Sequence, residues 1–164
     1  MPTRSPHCRP GRKIATPSME QYIEAIGQLL RQGKVCSISD IAEKADVSRP
    51  AASRAVRELV AKELVEHKAY GYVDLTPKGR HLLEALTARH EALYLFFAHV
   101  LHLDREHADN EACRLEHQIN DDIVDRLARL TSFIESRSHI AHEWRAELDE
   151  KRRMKQKHEE PVPD

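Results

Sequence analysis

The stretch Ser39-Asp40-Ile41-Ala42-Glu43-Lys44-Ala45-Asp46-Val47-Ser48-Arg49-Pro50-Ala51-Ala52-Ser53-Arg54-Ala55-Val56 decides the fold. It reads as two short helices and a tight turn. Ser39 is placed to cap the first helix, and Asp46-Val47 make the turn after Ala45. Ser48 caps the second, with Pro50 in its first turn, where a missing N–H costs little. Ile41, Val47, Ala52 and Val56 form the inward framework, continued by Leu59 and Val60 as the helix runs to about Lys62.

Before this pair, Ser18 reads as an N-cap. Met19, Tyr22, Ile23, Ile26, Leu29 and Leu30 follow at helical spacing, and Gly33 ends the helix. After it, the period drops to two. Leu64–His67 and Tyr72–Leu75 alternate around Ala69, Tyr70 and Gly71, a β-hairpin signature. Three short helices followed by a small hairpin form a winged helix-turn-helix pattern. The outward face of the third helix carries Ser48, Arg49, Ser53, Arg54 and Arg57. Hydroxyls and a positive helix end suit phosphates, and Arg can address guanine edges in the major groove, so double-stranded DNA is the expected partner.

The rest of the chain is helical. Thr76-Pro77 opens one long helix expected to reach about His102. Asp104 caps a second to about Gln118, a third covers about Asn120–Glu135, and a last one about Ser138–Lys155. The expectation is therefore a mainly α protein with a disordered basic arm at 1–16 and a winged helix-turn-helix at 17–77. An all-helical domain follows at 78–150, and a charged tail at 151–164 that includes KRRMKQK.

Composition excludes several classes. The 164 residues carry 26 basic and 27 acidic side chains, so the net charge is near zero. The first half is nonetheless net basic, and the acids concentrate around 104–125, which points an anionic partner at the first half. No apolar run approaches the roughly 20 residues that span a bilayer. The N-terminus lacks the apolar segment of a signal peptide, and a cytoplasmic protein is expected. Three scattered cysteines make no disulfide framework. GxGxxG, P-loop, HExxH and GxSxG motifs are absent, which leaves nucleotide and hydrolase sites without support.

A metal-ligand pattern stands in the second half. Cys113, Glu116 and His117 fall within roughly 100° of one another on a helical wheel. Ala108, Ala112, Leu115 and Ile119 form a core stripe beside them. Sulfur, oxygen and nitrogen donors one turn apart suit a transition metal rather than Ca²⁺ or Mg²⁺. On the long helix, Leu83, Leu86, Leu93, Phe97 and Val100 make an inward stripe that His90 interrupts. A buried imidazole needs a partner. The first helix adds Gln21 and Glu24, also one turn apart. The remaining histidines, His99, His102, His107, His139 and His142, read as surface residues of amphipathic helices.

Six segments in order carry a resemblance: Thr16-Pro17-Ser18-Met19-Glu20-x-Tyr22-Ile23-Glu24, Ser39-Asp40-Ile41-Ala42, Ser48-x-Pro50, Leu75-Thr76-x-x-Gly79, Arg89-His90, and Glu111-Ala112-Cys113-Arg114-x-Glu116-His117. Together, over about residues 16–135, the chain resembles the diphtheria toxin repressor and manganese transport regulator family. The resemblance implies a homodimeric, metal-activated repressor of metal-uptake genes with Mn²⁺ or Fe²⁺ as corepressor. It makes 78–150 the metal-binding and dimerisation domain, with the dimer surface expected around Leu93–Leu103 and Ile119–Leu130, and it implies base and phosphate contacts at Ser48, Arg49, Pro50, Ser53 and Arg54. It implies metal ligands at Gln21, Cys113, Glu116 and His117, and second-site ligands at Glu24 and His90. The chain departs from both branches. Gln21 stands where iron-type members have Met and manganese-type members Asp. Cys113 follows the iron pattern and Glu24 the manganese pattern. Asp109 and Tyr94 replace an ancillary His and Glu, so that second iron-type site is expected to be absent. A thiol raises the intrinsic affinity for Fe²⁺, Co²⁺, Ni²⁺ or Zn²⁺. Two rival readings remain at this stage: a winged-helix regulator that senses oxidants through Cys113 without metal, and a small metalloenzyme with Glu116 as base.

Overall fold

The structure, a computed structural model, describes residues 17–33, 36–68 and 71–159. The basic arm at 1–16 and the end of the tail lie outside them. The order is α1 (Pro17–Arg31), α2 (Ile38–Lys44), α3 (Arg49–Ala61), β1 (Val65–His67), β2 (Val73–Leu75), α4 (Pro77–Leu95), a π-helical turn (Phe96–Val100), α5 (Arg105–Leu115), α6 (Asp121–Glu135) and α7 (Ser138–Glu159). These form two compact units that divide between Ala88 and Arg89, inside α4. The elements change character at residue 77. The compact unit continues beyond it because Leu86 enters the first core, with Leu82 and Leu83 packed against that core.

In the first unit, Ile23, Ile26, Ile41, Leu59, Leu64 and Leu75 are fully buried. Each such side chain contributes roughly 1.5–3 kcal/mol of burial. β1 and β2 pair antiparallel with Val65 opposite Leu75, and Val73 also forms an isolated antiparallel bridge with Cys36. Val73 N–H donates to the Cys36 carbonyl at 2.8 Å. Burial raises the Cys36 thiol to about 11, so it stays protonated and behaves as a small core residue. Gly79 is required where it stands. A Cβ there would lie 2.0 Å from the Leu64 carbonyl oxygen, which ties the start of α4 to the hairpin.

Several helix ends differ from expectation. α1 begins at Pro17, so Ser18 is its second residue rather than its cap. α2 is capped by Ser37, not Ser39. Ser37 Oγ accepts from Asp40 N–H, and the Asp40 carboxylate accepts from Ser37 N–H at 2.9 Å. That reciprocal box needs an acid three residues after the cap, which Ser37 has. Ser48 does cap α3, accepting from Ala51 N–H at 3.4 Å. Val47 is 37% exposed and lies outside the core, because Asp46 takes a left-handed φ of 52° and turns the chain outward.

The second unit has a smaller core of Leu93, Phe97, Ala108 and Ala112, ringed by Leu115, Ile119 and Leu127 among others. The long helix does not run unbroken to His102. It widens at Phe96–Val100, where Leu101 N–H reaches back to the Phe96 carbonyl. Trp144 of α7 donates its indole N–H to the Val100 carbonyl at 2.5 Å. Within Leu93–Leu103, where the dimer surface is expected, Leu93, Phe97 and Val100 are buried in the protomer and the other apolar residues are half-buried. Ile123, Leu130 and Phe133 of α6 stay exposed. Among the described residues no helix is long and apolar enough to cross a membrane.

Candidate metal centre and nucleic-acid interface

The helix-turn-helix presents a basic face. Ser48, Arg49, Pro50, Arg54 and Arg57 are exposed on α3, and Ser53 is half-buried. Arg57 donates to Ser53 Oγ at 3.2 Å, which steers its guanidinium along the helix toward the N-terminal end. Ala52, Ala55, Val56 and Leu59 bury the opposite face. The exposed face therefore sits on a helix whose position is set by packing rather than by a loop. The hairpin beside it carries Lys68, whose ammonium pairs with Glu66 at 2.6 Å. The hydrogen bond and charge of Glu66 raise the Lys68 pKa.

The donor cluster of the second unit forms where two helices meet. α5 ends at Leu115, earlier than expected, so Glu116 and His117 occupy the turn that follows it. Both side chains are buried, at 3% and 7% exposure. His90 of α4 approaches them. Its Nδ1 lies 3.0 Å from Glu116 Oε2, and His117 Nε2 lies 3.5 Å from Glu116 Oε1. One buried carboxylate thus presents its two oxygens to two imidazoles. Cys113, one turn earlier, is exposed. The wheel put Cys113, Glu116 and His117 on one face. Their environments nonetheless differ: Glu116, still helical with its N–H on the Ala112 carbonyl, and His117 are buried, and Cys113 is exposed. Gln21 and Glu24 lie one turn apart on α1 in the first unit, exposed and half-buried.

Two participants were not singled out by residue type. Arg89 donates to the Glu116 carbonyl at 3.0 Å and to Asp121 Oδ1 at 2.7 Å, with only 11% of its side chain exposed. It ties the ligand-bearing turn to the start of α6. Its signal was its place directly before His90. Asp109, exposed on α5, sets Oδ1 3.2 Å from His90 Nε2. His99, by contrast, pairs with Glu135, and His107 with Asp104, both at exposed positions.

The donor set fits a divalent transition ion. A buried carboxylate between two imidazoles offers hard and borderline ligands, and burial of that carboxylate needs a compensating positive charge.

Comparison with known proteins supports both halves. Residues 76–145 match a family model described as "Iron dependent repressor, metal binding and dimerisation domain", and residues 20–69 one for the MarR family. The HTH-type transcriptional regulator MntR of Bacillus pumilus (strain SAFR-032) is 33% identical over 122 residues, 74% of this chain and 84% of that protein. Among solved structures, the manganese regulator SloR is similar at 32% identity and a TM-score of 0.62, over 73% of this chain and 55% of that one. A manganese-dependent transcriptional repressor in complex with manganese matches at 30% identity and 0.62, over 70% and 53%. The chain thus spans about half the length of these solved regulators.

Proposed function

The chain belongs to the diphtheria toxin repressor and manganese transport regulator family of metal-dependent transcriptional repressors, and on that premise we propose that it binds a near-palindromic operator as a homodimer when loaded with Mn²⁺ or Fe²⁺. The regulated genes are those of metal uptake, and the protein works in the cytoplasm. Its relatives are regulators rather than enzymes, which sets aside the metalloenzyme reading. The observation that carries the proposal is the His90–Glu116–His117 cluster, with Glu116 and His117 buried and His90 half-buried, inside the segment that matches a metal-binding domain.

His90, Glu116 and His117 hold the ion in this reading. Cys113 adds a thiol from the preceding turn. Gln21 and Glu24 of α1 add oxygen donors, by their match to the family's ligand positions. The two carboxylates and the amide oxygen suit Mn²⁺, and the thiol and imidazoles admit Fe²⁺, Co²⁺, Ni²⁺ or Zn²⁺. The bound ion supplies the positive charge that these donors share. Ligands contributed by α1 link ion uptake to ordering of the DNA-reading helices. Moving a chain from mostly inactive to mostly active takes up to about 5.5 kcal/mol of differential binding. Structural Zn²⁺ sites reach about 10–16 kcal/mol, so several ligands on one ion suffice.

On the DNA side, Ser48, Arg49, Pro50, Ser53, Arg54 and Arg57 make the base and phosphate contacts. A dimer must set two such helices about 34 Å apart to enter successive major grooves. Ile123, Leu130 and Phe133 on α6 offer the exposed apolar stripe for pairing. Selection of duplexes from a random pool tests this reading. With Mn²⁺ present, a near-palindrome with half-sites one helical turn apart becomes enriched. Equal enrichment in the presence of a chelator contradicts it.

A further inference from the structure

His90 has a carboxylate at each ring nitrogen, Glu116 at Nδ1 and Asp109 at Nε2. A neutral imidazole carries one N–H. It can satisfy one of these carboxylates as a donor, and it then turns a lone pair toward the other. The two sides of the ring are not equivalent. On the Nδ1 side, both Glu116 oxygens and His117 Nε2 converge, and all are buried. On the Nε2 side stands Asp109 of α5, with 65% of its side chain exposed.

A cation is therefore best placed on the Nδ1 side, and the N–H belongs on Nε2. We infer that Asp109 is a positioning residue of the metal centre: its carboxylate accepts the Nε2–H of His90 and so presents the Nδ1 lone pair to the ion. Metal-ligating histidines commonly donate their second nitrogen to a carboxylate in this way, which fixes tautomer and ring orientation. Asp109 takes this role from the exposed face of α5, while Ala108 and Ala112 of the same helix are buried in the core. The carboxylate is thus delivered by a packed helix rather than by a flexible segment. It acts through His90 and is not itself a ligand.

The inference rests on the metal-binding reading above, and one titration separates the two. Co²⁺ is added to the metal-free full-length chain and followed by its visible absorption. Wild type, Asp109→Ala and Asp109→Asn are compared for affinity and for ions bound per chain. Asp109→Ala should bind roughly 10–100-fold more weakly, the usual cost of losing an outer partner. Its ion count and metal-free melting temperature should not change. Asp109→Asn should recover most of the affinity, because its amide oxygen can accept the same N–H. Unchanged affinity in Asp109→Ala overturns the inference. So does the loss of one whole ion per chain, which would make Asp109 a ligand, or an Asn variant as weak as the Ala variant. A wild-type chain that takes up no Co²⁺ defeats the metal-binding reading itself, and this inference with it.

Discussion

Helix α3 and the donor cluster at the end of α5 are built in opposite ways. α3 is a regular helix with Ala52, Val56 and Leu59 buried behind it, and the residues proposed to meet DNA lie on the outer face. Helical periodicity holds along its whole length, so residues that share a face in sequence share it in space. The donor cluster sits where α5 stops. Glu116 and His117 turn inward toward His90, and Cys113 stays exposed. A mid-helix surface tolerates substitution one residue at a time. A helix end held by Arg89 and by two imidazoles depends on each part.

That contrast can be broken first at Glu116. Its replacement by Ala removes the carboxylate shared by both imidazoles. Metal affinity, measured by titration calorimetry with Mn²⁺, should fall by more than the roughly 10–100-fold that an outer partner costs. A smaller loss would mean that the cluster is not the ligand core. At α3 the expected effect is smaller and graded. Arg54→Ala should cost about 1–3 kcal/mol of operator discrimination if Arg54 reads a base. If it meets a phosphate, it should lower the salt slope of binding by about one ion instead. Metal affinity should not change in either case.

Cys113→Ser sharpens the comparison from the other side. The exposed thiol should tune preference among metals, shifting selectivity away from Co²⁺ and Zn²⁺ and toward Mn²⁺, with the DNA response retained. Loss of the response in Cys113→Ser, with Glu116→Ala unaffected, would instead identify an oxidant sensor. The smallest effect is at the start of α5. Asp104 accepts from the His107 backbone N–H and pairs with its ring, which holds the Asp104 carboxyl below its ordinary 3.8. The same hydrogen bond to Asp104 raises the His107 imidazole above 6.5. Asp104 therefore stabilises the fold above pH 3.8, an effect lost as pH falls through its lowered value. His107 stabilises it below pH 6.5, an effect lost as pH rises through its raised value. Proton NMR of His107 should show a midpoint above 6.5 that Asp104→Ala returns to the ordinary value.

Most of the architecture was legible because it rests on periodicity and punctuation. Ser48 and Pro50 mark the start of α3, and the change from period 3.6 to 2 marks the hairpin. The π-helical turn at Phe96–Val100 was hidden, because one widened turn leaves an apolar stripe spaced by three and four almost unaltered. The cap of α2 was legible and misplaced: Ser37 has an acid three residues on, Asp40, the spacing of a reciprocal box, whereas Ser39 has Ala42 there. In the candidate site, residue type singled out His90, Glu116 and His117. Asp109 and Arg89 act through hydrogen bonds across helices, and such long-range contacts leave no local spacing to read.

In the proposed function, metal uptake and operator binding are one linked equilibrium. The most direct test is fluorescence anisotropy of the selected duplex against wild type and His117→Ala, each with saturating Mn²⁺ and after chelation. Tight binding by metal-loaded wild type alone, with the other three samples weaker by at least an order of magnitude, is the predicted result. Equal affinity of the chelated and loaded wild-type protein would contradict it.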